Sequence, residues 1–211
     1  GRSVSGPPSG AGYNRRCGES AGLAPRLRVP LLSDASSLHA LTTTAAAVVR
    51  ADRGVIRVTG ADRATWLQGL LTNDVAALAP GQGCYSAWLT PQGRMITDAI
   101  VLAEADAVSL EVPGAICDDL YRRLDAAIFA EDVLLTDEGG VWTSIGVHGP
   151  DAARIVSRTL HAAGGADPAT DEPQLSSWPE FANAGLPDAG RLFRHDPYGV
   201  PGFTLRVPRA A

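Results

Sequence analysis

An α+β fold, an antiparallel sheet with packed helices, is the class this sequence predicts, and three observations predict it. Short stretches alternate apolar and polar residues with the period of two expected of half-buried strands. Two of them, residues 84–90 and 94–102, flank Pro91-Gln92-Gly93 closely enough to form an antiparallel hairpin. Apolar residues at helical spacing lie between and after the strands, without the regular strand-helix alternation that builds a parallel sheet.

The elements follow in order. Residues 54–59 (GVIRVT) read as a strand broken by Gly60. In ADRATWLQGLLTND, residues 61–74, Trp66, Leu67, Leu70 and Leu71 fall on one helical face and Asp62 stands where an N-terminal carboxylate is favoured. Trp66 is therefore expected in the core. After the hairpin, residues 107–112 form another strand. Residues 114–129 repeat Ile116, Leu120, Leu124 and Ile128 every four positions, an amphipathic helix with Arg122, Arg123 and Asp125 outward. A short strand at 133–136 closes this first unit, 38–140.

A second α+β unit is expected over 141–211. It has a strand from Val141, a Gly149-Pro150 turn, a helix carrying Ile155, Val156 and Leu160, and two short strands in FRHDPYGVPGFTLRVP, residues 193–208. Residues 164–190, rich in Pro, Ala and Asp, read as a flexible connector. A strand-helix-strand-strand unit that stops there predicts an incomplete fold, an amino-terminal fragment with an exposed sheet edge.

Charge and cysteine usage narrow the partners. All 18 basic residues are arginine, a bias of the coding sequence rather than a binding signature. Residues 1–30 hold five arginines against Glu19 alone, a net +4, which leaves −9 on the rest of a chain whose total is −5. An acidic body argues against direct nucleic-acid binding, which draws on clustered cations. The basic, Gly, Ser and Pro rich leader, residues 1–37, is expected to be disordered, and its composition resembles an organelle transit peptide. The three cysteines, Cys17, Cys84 and Cys117, have no close pair, so neither a disulfide framework nor a Cys-x-x-Cys metal site is expected, and a reducing compartment such as the cytoplasm fits. The four histidines are equally scattered, with no metal-ligand spacing. No apolar run approaches the roughly 20 residues of a membrane helix, so no membrane partner is expected. Generic catalytic motifs (GxSxG, the P-loop, GxGxxG after a strand, HExxH) are absent from the sequence.

A longer string carries more. RVTGADRATWLQGLLTNDVAALAPGQGCYSAWLTPQGRMITDAIVL, residues 57–102, resembles the first domain of the YgfZ-type folate-binding proteins, a branch related to the glycine-cleavage T-protein, the aminomethyltransferase. V-T-G-x-D, aromatic-L-Q, L-T-N-D-V and L-T-P-Q-G-R occur in order. VHGPDAARIV is similar to the family's Q-G-P-x-A helix start, and GVPGFTLRVP to its G-x-P-G-[YF] hairpin. The resemblance implies a T-protein-like folate-binding domain, tetrahydrofolate or a derivative as cofactor, and iron-sulfur client or assembly proteins as partners. The function implied is an accessory role in iron-sulfur assembly or repair, acting on tRNA only through tRNA-modifying enzymes. The alternatives are a T-protein-like aminomethyltransferase and a ligand-free partner-binding scaffold.

The resemblance also proposes site residues and marks departures. The branch's K-G-C-Y-x-G-Q-E motif is only imitated at Gly83-Cys84-Tyr85, where Gln82 replaces Lys and Ser86-Ala87-Trp88-Leu89 follow, so Cys84 is expected to be a small filler of a strand. In the T-protein G-G-x-x-D-D stretch two acids adjoin; here Thr97 takes the first position and Asp98 the second. Asp98, an acid inside the apolar strand RMITDAIVL, is the expected pterin contact. Against R-x-G-Y-T-G-E-D-G-x-E, Arg194, Gly199 and Gly202 stay in register while Pro197 replaces Tyr and Thr204 replaces Glu. Arg194 and Tyr198 are then the remaining candidate folate contacts, and the two losses disfavour aminomethyl transfer.

Overall fold

The computed structural model describes residues 35–164 and 167–209. Among these residues ten strands form two five-stranded sheets, antiparallel throughout. The strands are β1 (Ala46–Val49), β2 (Arg53–Thr59), β3 (Gly83–Leu89), β4 (Met95–Ala103), β5 (Val108–Pro113), β6 (Leu134–Asp137), β7 (Trp142–His148), β8 (Asn183–Gly185), β9 (Arg191–Arg194) and β10 (Gly202–Pro208). One sheet runs β3-β4-β5-β2-β6 and the other β1-β7-β10-β9-β8. The helices are α1 (Ala35–Thr43), α2 (Arg63–Leu70), α3 (Cys117–Asp125), α4 (Ala152–Ala162) and α5 (Glu172–Ser177).

The period-two pattern explains the layering, because each strand sends alternate residues to opposite faces. On the outer face of the first sheet Ile56, Val58, Ala99, Val101, Leu110 and Val112 pack with Trp66, Leu67, Leu120 and Leu124 of α2 and α3. Trp66 is buried there, and its indole N–H donates to the Ala127 carbonyl at 3.1 Å. On the outer face of the second sheet Val147, Leu192, Phe203 and Leu205 pack with Val156, Leu160 and Leu175 of α4 and α5. The inner faces meet each other: Ile100 and Leu102 of β4 pack on Phe193 of β9, with Phe181 alongside.

Several expectations need correction. The leader lies outside the described residues as far as 34, and positions 35–37 open α1. Residues 38–49 do not belong with the first unit: β1 pairs with β7, Ala46 opposite His148, and so joins the second sheet. The stretch 164–190, read as a flexible connector, carries α5 and β8 among its described residues; β8 pairs with β9 and lends its Asn183 amide to the Gln82 carbonyl at 2.9 Å. Composition hid it because a three-residue strand shows no period. The helix expected over 114–129 is shorter, a 3-10 turn followed by α3, with Ile128 beyond its end but still against the core. Asp62 makes no side-chain cap to its own helix; its carboxylate accepts the Asp132 N–H at 2.8 Å and ties α2 to the β6 approach. Ile155, expected on the core face of α4, is 37% exposed.

Candidate functional site

The space between the sheets holds two kinds of polar patch. In the first, every carboxylate is answered. Glu104 takes Arg57 at 2.6 Å and Arg191 at 3.0 Å on one oxygen, and the Ser109 hydroxyl at 2.5 Å on the other. Arg206, 1% exposed, reaches Glu111 at 3.2 Å and Glu104 at 3.4 Å, and its guanidinium lies 5.6 Å from the centre of the Trp142 ring. Arg57 completes the set through Asp106 at 2.9 Å. Burial pulls Glu104 upward, but the Ser109 hydroxyl, Arg191 and Arg57 outweigh it and hold its carboxyl below the ordinary range; for Glu111 burial outweighs Arg206 and raises it.

The second patch lies toward the other ends of β7 and β10. His148 closes β7 on the inner face, 1% exposed, and neither ring nitrogen has a hydrogen-bond partner among the described residues. The hydroxyl of Thr204, on the same face, is buried and unpartnered too. Two glycines make room for the imidazole: a Cβ at Gly146 would stand 2.5 Å from Nε2, and one at Gly202 would overlap Nδ1. The ring of Tyr198 meets His148 edge-on at 5.0 Å and 83°. His195, one residue beyond β9, sits 5.9 Å from the Phe181 ring and 6.4 Å from that of Phe193. Burial first, then the nearby arginines, lowers both imidazoles to about 4; Arg50 acts on His148, and Arg50, His148 and Arg53 act on His195. Both rings are therefore neutral near pH 7, each able to donate one hydrogen bond and accept one.

The first sheet contributes Asp98 and Tyr85. Asp98 is half-buried on the inner face, two residues from Ile100, and accepts the Tyr85 hydroxyl at 2.9 Å. The acid expected as the pterin contact thus has one local partner and access to solvent. Thr97 points the other way, buried toward the outer face with its hydroxyl on the Asp98 carbonyl. Tyr198, 45% exposed, borders the space through His148. Arg194 does not: alternation along β9 sends it outward, where it donates to the Trp178 carbonyl at 2.5 Å and pairs with Asp196 at 2.9 Å. Asp196 in turn accepts the Gly202 N–H at 2.8 Å, so Arg194 braces the β9–β10 turn, in which Gly199 adopts a φ of 70° that favours glycine. Cys84 lies partly buried against the outer core, its thiol raised by burial and by Asp74.

Sequence reasoning passed over both histidines, because it tested them only for metal spacing. The signal available was Trp142, Ser144, Gly146 and His148 on one face of a strand, a glycine two residues before a histidine that ends the strand. Among the described residues no cluster could hold a metal ion, and no helix is long and apolar enough to cross a membrane.

Comparison with known proteins narrows the family. The model of the GCVT N-terminal domain matches residues 35–187. The aminomethyltransferase of Chromobacterium violaceum is 30% identical over 179 residues, 76% of this chain and 44% of that protein. That of Bacillus subtilis is 32% identical over 111 residues, 52% of this chain and 30% of the relative. A putative chloroplastic transferase of Arabidopsis thaliana is 30% identical over 127 residues, 60% of this chain and 29% of the relative. The chain spans less than half the length of these curated relatives. The glycine cleavage system aminomethyltransferase T of Bartonella henselae superposes with a TM-score of 0.65 over 78% of this chain and 42% of that one, at 19% identity, which speaks to the fold.

Proposed function

Because this chain belongs to the family of the GCVT N-terminal domain, we propose that it binds tetrahydrofolate between its two sheets, as part of an aminomethyltransferase-type one-carbon protein. The observation that carries the reading is the pair of buried, unanswered polar groups, the His148 imidazole and the Thr204 hydroxyl, on the inner face across from the sheet that bears Asp98 and Tyr85. A flat heterocycle edged with donors and acceptors is the kind of ligand whose hydrogen-bonding edge such groups would answer. Asp98 takes N–H groups, the neutral imidazoles of His148 and His195 supply a donor and an acceptor each, and Phe181, Phe193 and Tyr198 give apolar walls. When bound, tetrahydrofolate supplies the amine nitrogens that accept a one-carbon unit.

The curated relatives are named aminomethyltransferases, which favours transfer of an aminomethyl carbon over the accessory iron-sulfur role expected from the YgfZ-type resemblance. One observation supports the accessory reading: Thr97 and Thr204 stand where the transferase motifs carry acids, and Thr204 faces the site. Calorimetric titration of the full chain with tetrahydrofolate tests binding. Asp98→Asn is expected to weaken it by about 1.5–3 kcal/mol, the range for a hydrogen bond to a charged group, with thermal stability nearly unchanged. Loss of stability with unchanged affinity in the folded fraction makes Asp98 a structural acid and sinks the placement. A methylene-transfer assay then separates the two activities.

A further inference from the structure

A second concave site opens at the seam where β1 turns into β2 and β6 passes to β7. It measures about 210 Å³ and is lined by Arg50, Arg53 and Arg209 together with Gly114, Gly140 and Ser144. That is smaller than the roughly 300–1,000 Å³ of pockets that enclose drug-sized ligands, so it does not take a pterin. No acid lines it. Among neighbouring carboxylates, Asp52 pairs with the site's own Arg50 at its Nε, 3.3 Å, while Glu138 accepts the Trp142 indole N–H at 2.9 Å and Asp137 the Gly139 N–H at 2.9 Å. Arg53 spends one nitrogen on the Glu111 carbonyl at 2.8 Å, a neutral partner. The end of β1 is held in place by the Arg50 N–H on the Ser144 carbonyl at 2.7 Å.

Three arginines that cannot deprotonate line one small cavity with no acid in its own wall; Asp52, largely exposed, pairs with Arg50, and Glu111, outside that wall, acts on Arg50 and Arg53, so an anion held in the cavity would be favoured by the arginines on its wall. We propose that this cavity is an oxyanion site, taking one phosphate or carboxylate group through Arg50, Arg53 and Arg209. The forked geometry of arginine suits either group. The site is distinct from the proposed folate space and does not rest on it. The two communicate through the field, since Arg50 and Arg53 are among the charges that depress His195.

Inorganic phosphate is the probe, titrated calorimetrically into the full chain at constant ionic strength. One saturable phosphate per chain is expected. Arg209→Ala, at an exposed position that leaves the fold intact, and Arg50→Gln should each weaken it at least tenfold, while Arg122→Ala on the distant face of α3 should leave it unchanged. In parallel, the His195 titration followed by NMR should move upward from about 4 on phosphate saturation. Binding that never saturates, or that Arg122→Ala weakens as much as Arg209→Ala, reduces the effect to charge screening and overturns the site. Competition identifies the natural source. If phosphate displaces a folate polyglutamate but not the monoglutamate, the group is a glutamyl carboxylate; if it displaces neither, it is a free anion. Failure of every folate to bind while phosphate still saturates removes the folate reading and leaves this one standing.

Discussion

The two polar patches between the sheets are built from similar materials and treated in opposite ways. Around Glu104 and Glu111 every carboxylate is answered by Arg57, Arg191, Arg206 or Ser109, with Asp106 on Arg57, and only the Nε atoms of Arg191 and Arg206 are left without a partner among the described residues. Around His148 and Thr204 the buried polar atoms answer nothing within the described residues. A buried polar group without a partner costs about 1–3 kcal/mol, so a whole imidazole and a hydroxyl on one face without protein partners are open to water or to a ligand. The satisfied patch fastens the sheets together. The unsatisfied one leaves hydrogen-bonding capacity for a ligand.

The sharpest way to break the contrast is to cut the satisfied patch. Arg206→Met leaves Glu111 buried without its cation, and the expected loss is about 3–5 kcal/mol in urea-denaturation free energy, the range for an uncompensated buried charge. Glu104 suffers less because Arg57 and Arg191 remain. The double variant Arg206→Met/Glu111→Leu removes both charges and should recover most of the loss. A single variant no less stable than the parent would show that the patch is not what joins the sheets.

The unsatisfied patch should reveal itself through pH. His148 and His195 are depressed to about 4 in the folded protein against about 6.5 unfolded. Below pH 6.5 the unfolded chain takes up protons that the native state refuses, so stability is constant above that value and falls as pH drops toward 4. For the buried His148 the loss is at most about 3 kcal/mol across the window; His195, partly exposed, contributes less. His148→Leu should remove its share of the slope, up to about 1.4 kcal/mol per pH unit, when denaturation is compared at pH 7.5, 6.5, 5.5 and 4.5. Parallel pH curves for variant and parent would mean that the imidazole is charged or solvated after all.

What was legible in the sequence was local. β2, α2, the β3–β4 hairpin, α3, β7 and α4 each carry their own period, and each was found within a few residues. β1 was not, because AAVV is four residues long and its identity as a strand is supplied by β7, about a hundred residues later in the chain. The same limit governed the site. Asp98 stood out as an acid in an apolar strand, and Arg194 as an arginine in register with a motif, but register does not say which face of a strand is turned inward. The burial of His148 depends on Gly146 beside it and on Gly202 across the β7–β10 ladder, a juxtaposition that no local pattern contains.

The smallest expected effect discriminates best, because its sign differs between the two patches. Thr204 lies on β10 opposite Phe193, two residues from Arg206, so one strand serves both patches. Thr204→Val keeps the branched shape and removes only a hydroxyl that has no partner in the unliganded fold. Taking away a buried orphan should leave stability unchanged or raise it by about 1 kcal/mol, whereas removing a group from the satisfied patch lowers it. If that hydroxyl serves a ligand, the same substitution should weaken tetrahydrofolate binding about five- to tenfold, the value of one neutral hydrogen bond. The paired measurement is a denaturation midpoint and a calorimetric Kd on the same preparation. A variant that loses stability and keeps its affinity would show that Thr204 has a structural partner, and the contrast between the patches would collapse at the residue where it is easiest to test.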